Sequence, residues 1–178
     1  MGCDKADIVW QGQTVLERLA AAALTVAPTV LIIGRDKPHD WALPGVDFYR
    51  DQRAGLGPIG GLATAFDRTD DASVLPIACD MPLLSASSIQ WLINSAANFD
   101  QLCDGVIVRN GDEIEPLFSI YSRSITNLIE YQIERGQRSL QKLISAGSFN
   151  ELTAPARIAR ELINFNTPDD WSQLLPAK

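Results

Sequence analysis

Alternation between short apolar runs and helix-forming segments constrains this chain more than any other feature. Thr14-Val15-Leu16-Glu17-Arg18-Leu19-Ala20-Ala21-Ala22-Ala23-Leu24 is alanine-rich, with apolar residues three and four apart, and predicts a helix packed on one face. Pro28 stops it, and Thr29-Val30-Leu31-Ile32-Ile33 follows as a β-branched run. A run that is apolar at successive positions has no solvent face, so it reads as a buried parallel strand. Asp47-Phe48-Tyr49 is a weaker strand signal, and Gly55-Leu56-Gly57-Pro58-Ile59-Gly60-Gly61 is a glycine loop opening a helix at Leu62-Ala63-Thr64-Ala65-Phe66. Ser73-Val74-Leu75-Pro76-Ile77-Ala78-Cys79 is the next strand, its ladder interrupted at Pro76.

Further on, Ser85 caps a helix over residues 86–97. Gly105-Val106-Ile107-Val108-Arg109 and Glu115-Pro116-Leu117-Phe118-Ser119-Ile120 read as strands around Asn110-Gly111-Asp112, a hairpin signal with a loop longer than two residues. Helices over 122–134 and 139–146 split at Gly136, and Leu162-Ile163-Asn164-Phe165 is a last short strand. Thr167-Pro168-Asp169-Asp170 starts a final helix, with a threonine cap, proline first and acids in the first turn. The class is therefore α/β with a mostly parallel sheet, which places ligands at strand carboxyl ends. The 178 residues, 46% of them hydrophobic, suit one domain over 1–178 with a substantial core.

Composition excludes some partners. A net charge of -7 without a lysine- or arginine-rich segment argues for no nucleic acid and no membrane surface as main partner. An acidic chain still binds a polyanion if a local lysine, backbone N–H groups and a divalent cation meet it. Cys3, Cys79 and Cys103 form no CxxC or Cys/His cluster, so neither zinc nor a disulfide framework is expected, and the reading is a cytoplasmic protein. The apolar stretch over 19–33 is broken by Thr25 and Pro28, too early for a membrane span.

Several residues stand where chemistry is expected. Asp80 ends an apolar strand before Met81-Pro82, so it reads either as a Mg²⁺ ligand facing a crevice or as a turn or helix-cap aspartate. Lys5 offers a point charge to a phosphoryl group, or is a solvated surface lysine. Gly57, Pro58, Ile59, Gly60 and Gly61 offer backbone approach at a helix N-terminus, suited to a nucleotide, though glycine loops are also common turn material. Asp51 is a crevice acid or a loop acid, and Arg138 faces an anionic second substrate or balances acidic surface. Asn164 and Asn166, flanking Phe165, orient a substrate or form Asx turns. His39, between Pro38 and Asp40, reads as a surface histidine, and no Ser–His–acid set can be built around it.

In this order and spacing the pieces resemble the molybdenum cofactor guanylyltransferases of the nucleotidyltransferase superfamily. The matching segments are Met1-Gly2-Cys3-Asp4-Lys5-Ala6, Asp51 with Gly57-Pro58-Ile59-Gly60-Gly61, Cys79-Asp80-Met81-Pro82-Leu83-Leu84, Glu115-Pro116-Leu117, Arg135-Gly136-Gln137-Arg138-Ser139-Leu140, and Asn164-Phe165-Asn166-Thr167-Pro168-Asp169-Asp170, spanning essentially the whole chain. The resemblance implies a three-layer Rossmann-like fold and transfer of GMP from GTP to molybdenum-loaded molybdopterin, releasing pyrophosphate, with Mg²⁺ as cofactor. It implies that Lys5 and Asp51 contact GTP, that Asp80 holds the metal and the nucleotide, and that residues 57–61 lie by the base. Pro116, Arg138, Asn164 and Asn166 fall on the molybdopterin side, and a molybdoenzyme or its chaperone is a possible partner. Two rivals stand beside this reading: a relative using CTP or another acceptor, and a non-catalytic molybdopterin-binding accessory protein.

Two departures from the family pattern carry expectations. Family members place an apolar strand and a Leu-x-Ala-Gly-Gly-x-Ser-x-Arg loop before Met-Gly-x-Asp-Lys, whereas here that motif stands at residue 1. The expectation is a sheet lacking its first strand, with unpaired neighbours and a hole in the core. Each buried unmet group costs about 1–3 kcal/mol, against a total stability of about 5–15 kcal/mol. An internal methionine taken as the start, a decayed copy, or a strand supplied by another chain would each account for it. The second departure is Gly34, where the family often has asparagine.

Overall fold

The computed structural model describes residues 4–53, 55–99, 102–167 and 170–171. A 3-10 turn (Lys5–Asp7) is capped by Asp4, whose carboxylate accepts from the Ala6 amide at 3.0 Å. The ladder of β1 (Val9–Trp10) with β2 (Gln13–Thr14) leads into helix α1 (Val15–Leu24). That helix starts on a capping box: the Glu17 amide donates to Thr14 Oγ1 at 3.1 Å and the Thr14 amide to Glu17 Oε2 at 2.8 Å. Strands β3 (Val30–Ile33) and β4 (Val46–Tyr49) then pair in parallel, Val30 opposite Val46.

Helix α2 (Pro58–Arg68) begins earlier than its glycines suggest: Gly57 is the N-cap, and Pro58 through Gly61 form the first turn rather than a loop. Proline there loses nothing, because that N–H has no intrahelical partner. Strand β5 (Ser73–Val74) and helix α3 (Ala86–Ala96) follow, the latter capped by Ser85. Strand β6 (Gly105–Asn110) turns into β7 (Glu113–Ile114), and β8 (Ile120–Ser122) returns antiparallel to β6. Helices α4 (Thr126–Glu134) and α5 (Leu140–Ala146), strand β9 (Phe149–Thr153) and the short helix α6 (Ala156–Ala159) complete the order.

The second sheet has five strands, in the order β5–β8–β6–β7, with β9 parallel on the other edge of β6. The fold is thus α/β in three layers, but its pairing is mixed: β3–β4 and β6–β9 are parallel and the remaining pairs antiparallel. Alternation along β6 feeds two cores. Val108 enters a cluster with Leu19, Leu92 and Ile158 of α1, α3 and α6. Ile107 enters one with Leu62, Ile129 and Leu143 of α2, α4 and α5. A third, smaller cluster joins Ala6, Leu16, Ala20, Ile32 and Val46. Arg123 ties the end of α2 to β8 by donating to the carbonyls of Phe66, Thr69 and Asp71.

Four expectations from sequence are corrected. The strand over 73–79 pairs only at Ser73 and Val74: Pro76 has no N–H to give, and an apolar cavity of about 910 Å³ separates this edge from β3. Residues 115–120 are not one strand, because the Phe118 amide turns back onto the Glu115 carbonyl at 3.0 Å. The hairpin loop is only Gly111 and Asp112, since Asn110 faces Glu113. Residues 162–165 form no strand, and the sheet takes β9 instead, whose Phe-Asn-Glu-Leu-Thr composition gave no strand signal. For the final helix, Pro168 and Asp169 lie outside the described residues, as do Met1, Gly2 and Cys3. Thr167 does act as a cap, its hydroxyl accepting from the Asp170 amide at 3.2 Å. Among the described residues no helix is long and apolar enough to cross a membrane.

Gly105 sits at φ 150°, where an added Cβ would lie 2.0 Å from the Ile120 carbonyl oxygen. Gly61, inside α2, would meet nothing within 4 Å. Urea unfolding should therefore show Gly105→Ala destabilised by at least about 2 kcal/mol. Gly61→Ala should be neutral or stabilised by up to about 1 kcal/mol.

Candidate active site

The site assembles where strands and turns end. Lys5, in the 3-10 turn, points its Nζ at Asp80, 3.8 Å from Oδ2, and donates to Asn166 Oδ1 at 2.6 Å. The Lys5 turn is anchored from the β3 side, because Arg35 pairs with Asp4 at 3.2 Å and with Asp7 at 3.0 Å. Asp80 lies in a turn after residues 75–78, which join no ladder, and its carbonyl accepts from the Phe165 amide at 2.8 Å. That bond, not a strand, carries residues 164–166 to the site. Asp170 fixes the same segment by accepting from the Asn166 and Thr167 amides, which holds its carboxyl below the usual range.

A cleft of about 290 Å³ opens from Asp80 and brings together Pro58, Glu115, Pro116, Arg138 and Asn164. Five sequence-predicted residues thus meet in one cleft, and Lys5 and Asn166 join them through Asp80. Pro116 is held by its carbonyl, which accepts from the Tyr121 hydroxyl at 2.9 Å. Arg138 is exposed and donates to the Gly55 carbonyl at 2.8 Å, leaving its other guanidinium nitrogens available beside the cleft.

The remaining predicted residues play different parts. Asp51 accepts from the Arg53 amide at 2.9 Å and the Thr64 hydroxyl at 3.1 Å, so one of its oxygens shapes the entry to α2. Gly57 has φ 64° and ψ -149°, a conformation closed to other residues, and starts the helix there. Ile59 is fully buried in the core, so only its backbone can meet a ligand. Gly60 is a packing glycine: a Cβ would come within 2.9 Å of Leu56 Cβ and 3.2 Å of the Arg53 carbonyl oxygen. His39 is exposed.

Glu115, which opens the Glu115-Pro116-Leu117 motif, carries no marked role in the sequence. It lines the cleft with only 7% exposure, and burial holds its carboxyl above the ordinary value. The Asn110 amide at 3.4 Å opposes that shift, while the charges of Glu113 and Asp80 reinforce it. Its signal in the sequence was an acid directly before a proline, after a strand-and-turn pair. Cys79 is no nucleophile, since burial pushes its thiol up to about 11.

Asp80 Oδ1 is buried and has no hydrogen-bond partner, so one carboxylate oxygen is open to a ligand. Among the described residues no group of three or more His, Cys, Asp or Glu could cage a metal. A single hard oxygen donor suits Mg²⁺, which takes one or two carboxylates and completes its shell with water and phosphate oxygens. The residues present therefore fit a cation that arrives with a phosphorylated substrate.

Comparison with known proteins gives the family and the fold. A family model described as the MobA-like NTP transferase domain matches residues 1–152. The molybdenum cofactor guanylyltransferase of Xanthomonas euvesicatoria is 28% identical over 178 residues, covering 98% of this chain and 87% of that protein. The crystal structure of molybdopterin-guanine dinucleotide biosynthesis protein A from Archaeoglobus fulgidus superposes with a TM-score of 0.75 at 22% identity, covering 97% of this chain and 89% of that one. The 2-C-methyl-D-erythritol 4-phosphate cytidylyltransferase of Thermus thermophilus superposes at 0.71 and 16% identity, covering 95% of this chain and 90% of that one. At these identities the two structures show a shared fold alone.

The buried acid gives a pH test. Because the folded state holds the Glu115 proton more tightly than the unfolded chain, its contribution to stability is full below the ordinary glutamate pKa of about 4.3 and is lost as pH rises through the folded value. Glu115→Gln should therefore melt above the wild type at pH 7–8, with the difference vanishing near pH 4. An advantage that persists unchanged at acid pH would mean that the charge is not its origin.

Proposed function

The chain belongs to the MobA-like NTP transferase domain family, and from that premise we propose that it transfers GMP from GTP to molybdenum-loaded molybdopterin, releasing pyrophosphate. The observation that carries the reading is the meeting of Lys5 and Asp80, 3.8 Å apart, at the mouth of a cleft that runs to Arg138 and Asn164. A nucleotide needs a cation for its phosphates, and a second anionic substrate needs a separate basic and amide-lined wall. The cleft offers both, with Lys5 at one end and Arg138 and Asn164 along the other.

The chemistry asks little of protein nucleophiles. The terminal phosphate oxygen of the pterin forms a bond to the α-phosphorus of GTP while the bond to the bridging oxygen breaks, and the electron pair leaves with pyrophosphate. Catalysis is then positioning and charge neutralisation. Lys5 is placed to meet the triphosphate charge. Asp80 is the residue that would hold Mg²⁺, through its unpartnered oxygen. When bound, the ion neutralises phosphate charge and orients the oxygens it touches. Gly57 and the first turn of α2 offer backbone N–H groups towards the nucleotide, with Asp51 beside them, while Pro116, Arg138, Asn164 and Asn166 face the pterin. Free Cys79 is at home in a reducing cytoplasm, where the product would pass to a molybdoenzyme or its chaperone.

Pyrophosphate release with GTP, Mg²⁺ and molybdenum-loaded molybdopterin tests the assignment. Asp80→Ala should lose at least about 1,000-fold in kcat/KM, and Lys5→Ala about 100-fold, the scale of removing one preorganised charge contact. Normal turnover in both variants would remove the proposed roles. The likeness in fold to a cytidylyltransferase makes the base a separate question. A thermal-shift panel of GTP, CTP, UTP and ATP answers it, because a ligand at 100 times its Kd adds about 2.7 kcal/mol to the folded state. GTP should give the largest shift, and a larger CTP shift would reassign the base.

A further inference from the structure

Glu115 is a charged group in the cleft for which the transfer itself has no use. It is buried in the cleft wall, and among the described residues no ion pair includes it. The side chain's one hydrogen bond among those residues comes from the Asn110 amide to Oε1, at 3.4 Å, so Oε2 is left for a donor from the cleft. The backbone keeps the residue in place. Its amide donates to the Val108 carbonyl at 2.8 Å, and its carbonyl accepts from Ser119 Oγ at 2.7 Å. An acid so buried and so poorly paired costs stability, and a bound donor is what offsets that cost.

The lining states what such a ligand carries. An ionised carboxylate only accepts, so the occupant must bring N–H or O–H groups to Glu115. Arg138 in the same lining, with Lys5 beyond Asp80, calls for negative charge elsewhere on the molecule. Met81, Pro116, Leu117 and Leu140 add apolar surface to the wall. That surface suits a flat ring better than a polyol, whose hydroxyls need partners on every side. A planar ring with two adjacent N–H donors on one edge and a phosphate on its far side meets all three demands. The 2-amino-4-oxopyrimidine half of a pterin has that edge. Its 2-amino group and N3–H point the same way and match the two oxygens of a carboxylate, as an arginine fork does.

We propose that Glu115 selects the acceptor by its ring: the carboxylate takes the 2-amino and N3 hydrogens of a pterin lying against Pro116 and Leu117, with the phosphate turned towards Arg138 and Lys5. The inference rests on the reading of the second substrate as a pterin, and adds to it the residue that tells this ring from others. Guanine presents the same edge through its 2-amino group and N1–H. The place of Glu115, directly before Pro116 and in one lining with Arg138 and Asn164, assigns it to the acceptor rather than to the nucleotide. A glutamine in its place offers one acceptor and one donor, which fits a ring with a 2-oxo group in place of the 2-amino group.

Fluorescence titration with 6-hydroxymethylpterin phosphate and with its lumazine counterpart, in which oxygen replaces the 2-amino group, tests the proposal. The wild type should bind the pterin at least about tenfold more tightly, because the carboxylate meets two donors in one ring and a carbonyl oxygen in the other. In Glu115→Gln that preference should fall to within about twofold or invert. The ratio of GTP to inosine triphosphate affinity, measured with Mg²⁺, should stay at its wild-type value. A merely structural role would weaken both rings alike, so an unchanged pterin-to-lumazine ratio in the variant overturns the proposal. So does a change in the nucleotide ratio instead, which moves Glu115 to the guanine. Equal binding of both rings by the wild type overturns the proposal and leaves the pterin reading standing, whereas binding of neither ring overturns both.

Discussion

Strand β6 is the member on which the rest depends, because its two edges are both engaged. One edge pairs with β9 from Gly105 to Arg109, while the other meets β8 at its start and β7 at its end. Between those two short ladders the Val108 amide donates to Ser119 Oγ at 3.1 Å, and that hydroxyl donates in turn to the Glu115 carbonyl at 2.7 Å. A side chain thus completes a sheet where the partner strand has folded away. The same contact sets the functional turn, since the Glu115 amide donates to the Val108 carbonyl at 2.8 Å. Glu115 and Pro116 enter the cleft because β6 holds them there. Through β8 the same strand also carries β5, and beyond it Asp80.

Lys5 reaches the cleft from another direction. Its turn packs through Ala6 into the small cluster with Ile32 and Val46, and Arg35 clamps it by two carboxylates. On the proposed reading an acidic chain meets a local problem of charge, because Asp80 and the buried Glu115 add negative potential where a triphosphate would lie. One lysine cannot offset all of that, and Lys5 is already shared between Asp80 and Asn166. On the proposed reading a divalent cation shared between Asp80 and the phosphates would make the arrangement favourable for an anion. Two oppositely charged side chains nearly in contact, one with an open oxygen, are the protein's share of such a site.

How much of this could be read beforehand follows from how local each feature is. The helix ending at Leu24, the Ser85 cap and the apolar run ending at Ile33 are set by neighbours in sequence, and they formed as read. Lys5 and Asp80 stood out through the short motifs around them, Met1-Gly2-Cys3-Asp4-Lys5-Ala6 and Cys79-Asp80-Met81-Pro82, and the structure places the two side chains 3.8 Å apart. Strand β9 was not, because its Asn150 and Glu151 make sense only against β6, where Glu151 meets Arg109 at 2.6 Å. The strand expected over 162–165 failed for the opposite reason: its apolar residues are drawn into the core by Leu162 and Phe165, while its backbone is used singly, by Asp80. Glu115 escaped notice since nothing in a sequence marks an acid as buried.

The reacting cleft lies at the seam between the two sheets. Lys5 belongs to the side that carries β3, Asp80 to the side that carries β5, and the ties across the mouth are side-chain contacts to Asp80 and Asn166. Cys79 lines the cavity and the next residue lines the cleft, while Pro58 lines both, so the two spaces share a wall. An in-line transfer tolerates little error, for a displacement of about 1 Å at the reacting groups can cost about 100-fold in rate. The separation of Lys5 from Asp80 is held by the Arg35 clamp on the Lys5 turn, by Asn166 and by the Phe165 amide on the Asp80 carbonyl. On the proposed reading, what holds the two sides of this seam together also sets the spacing of Lys5 and Asp80.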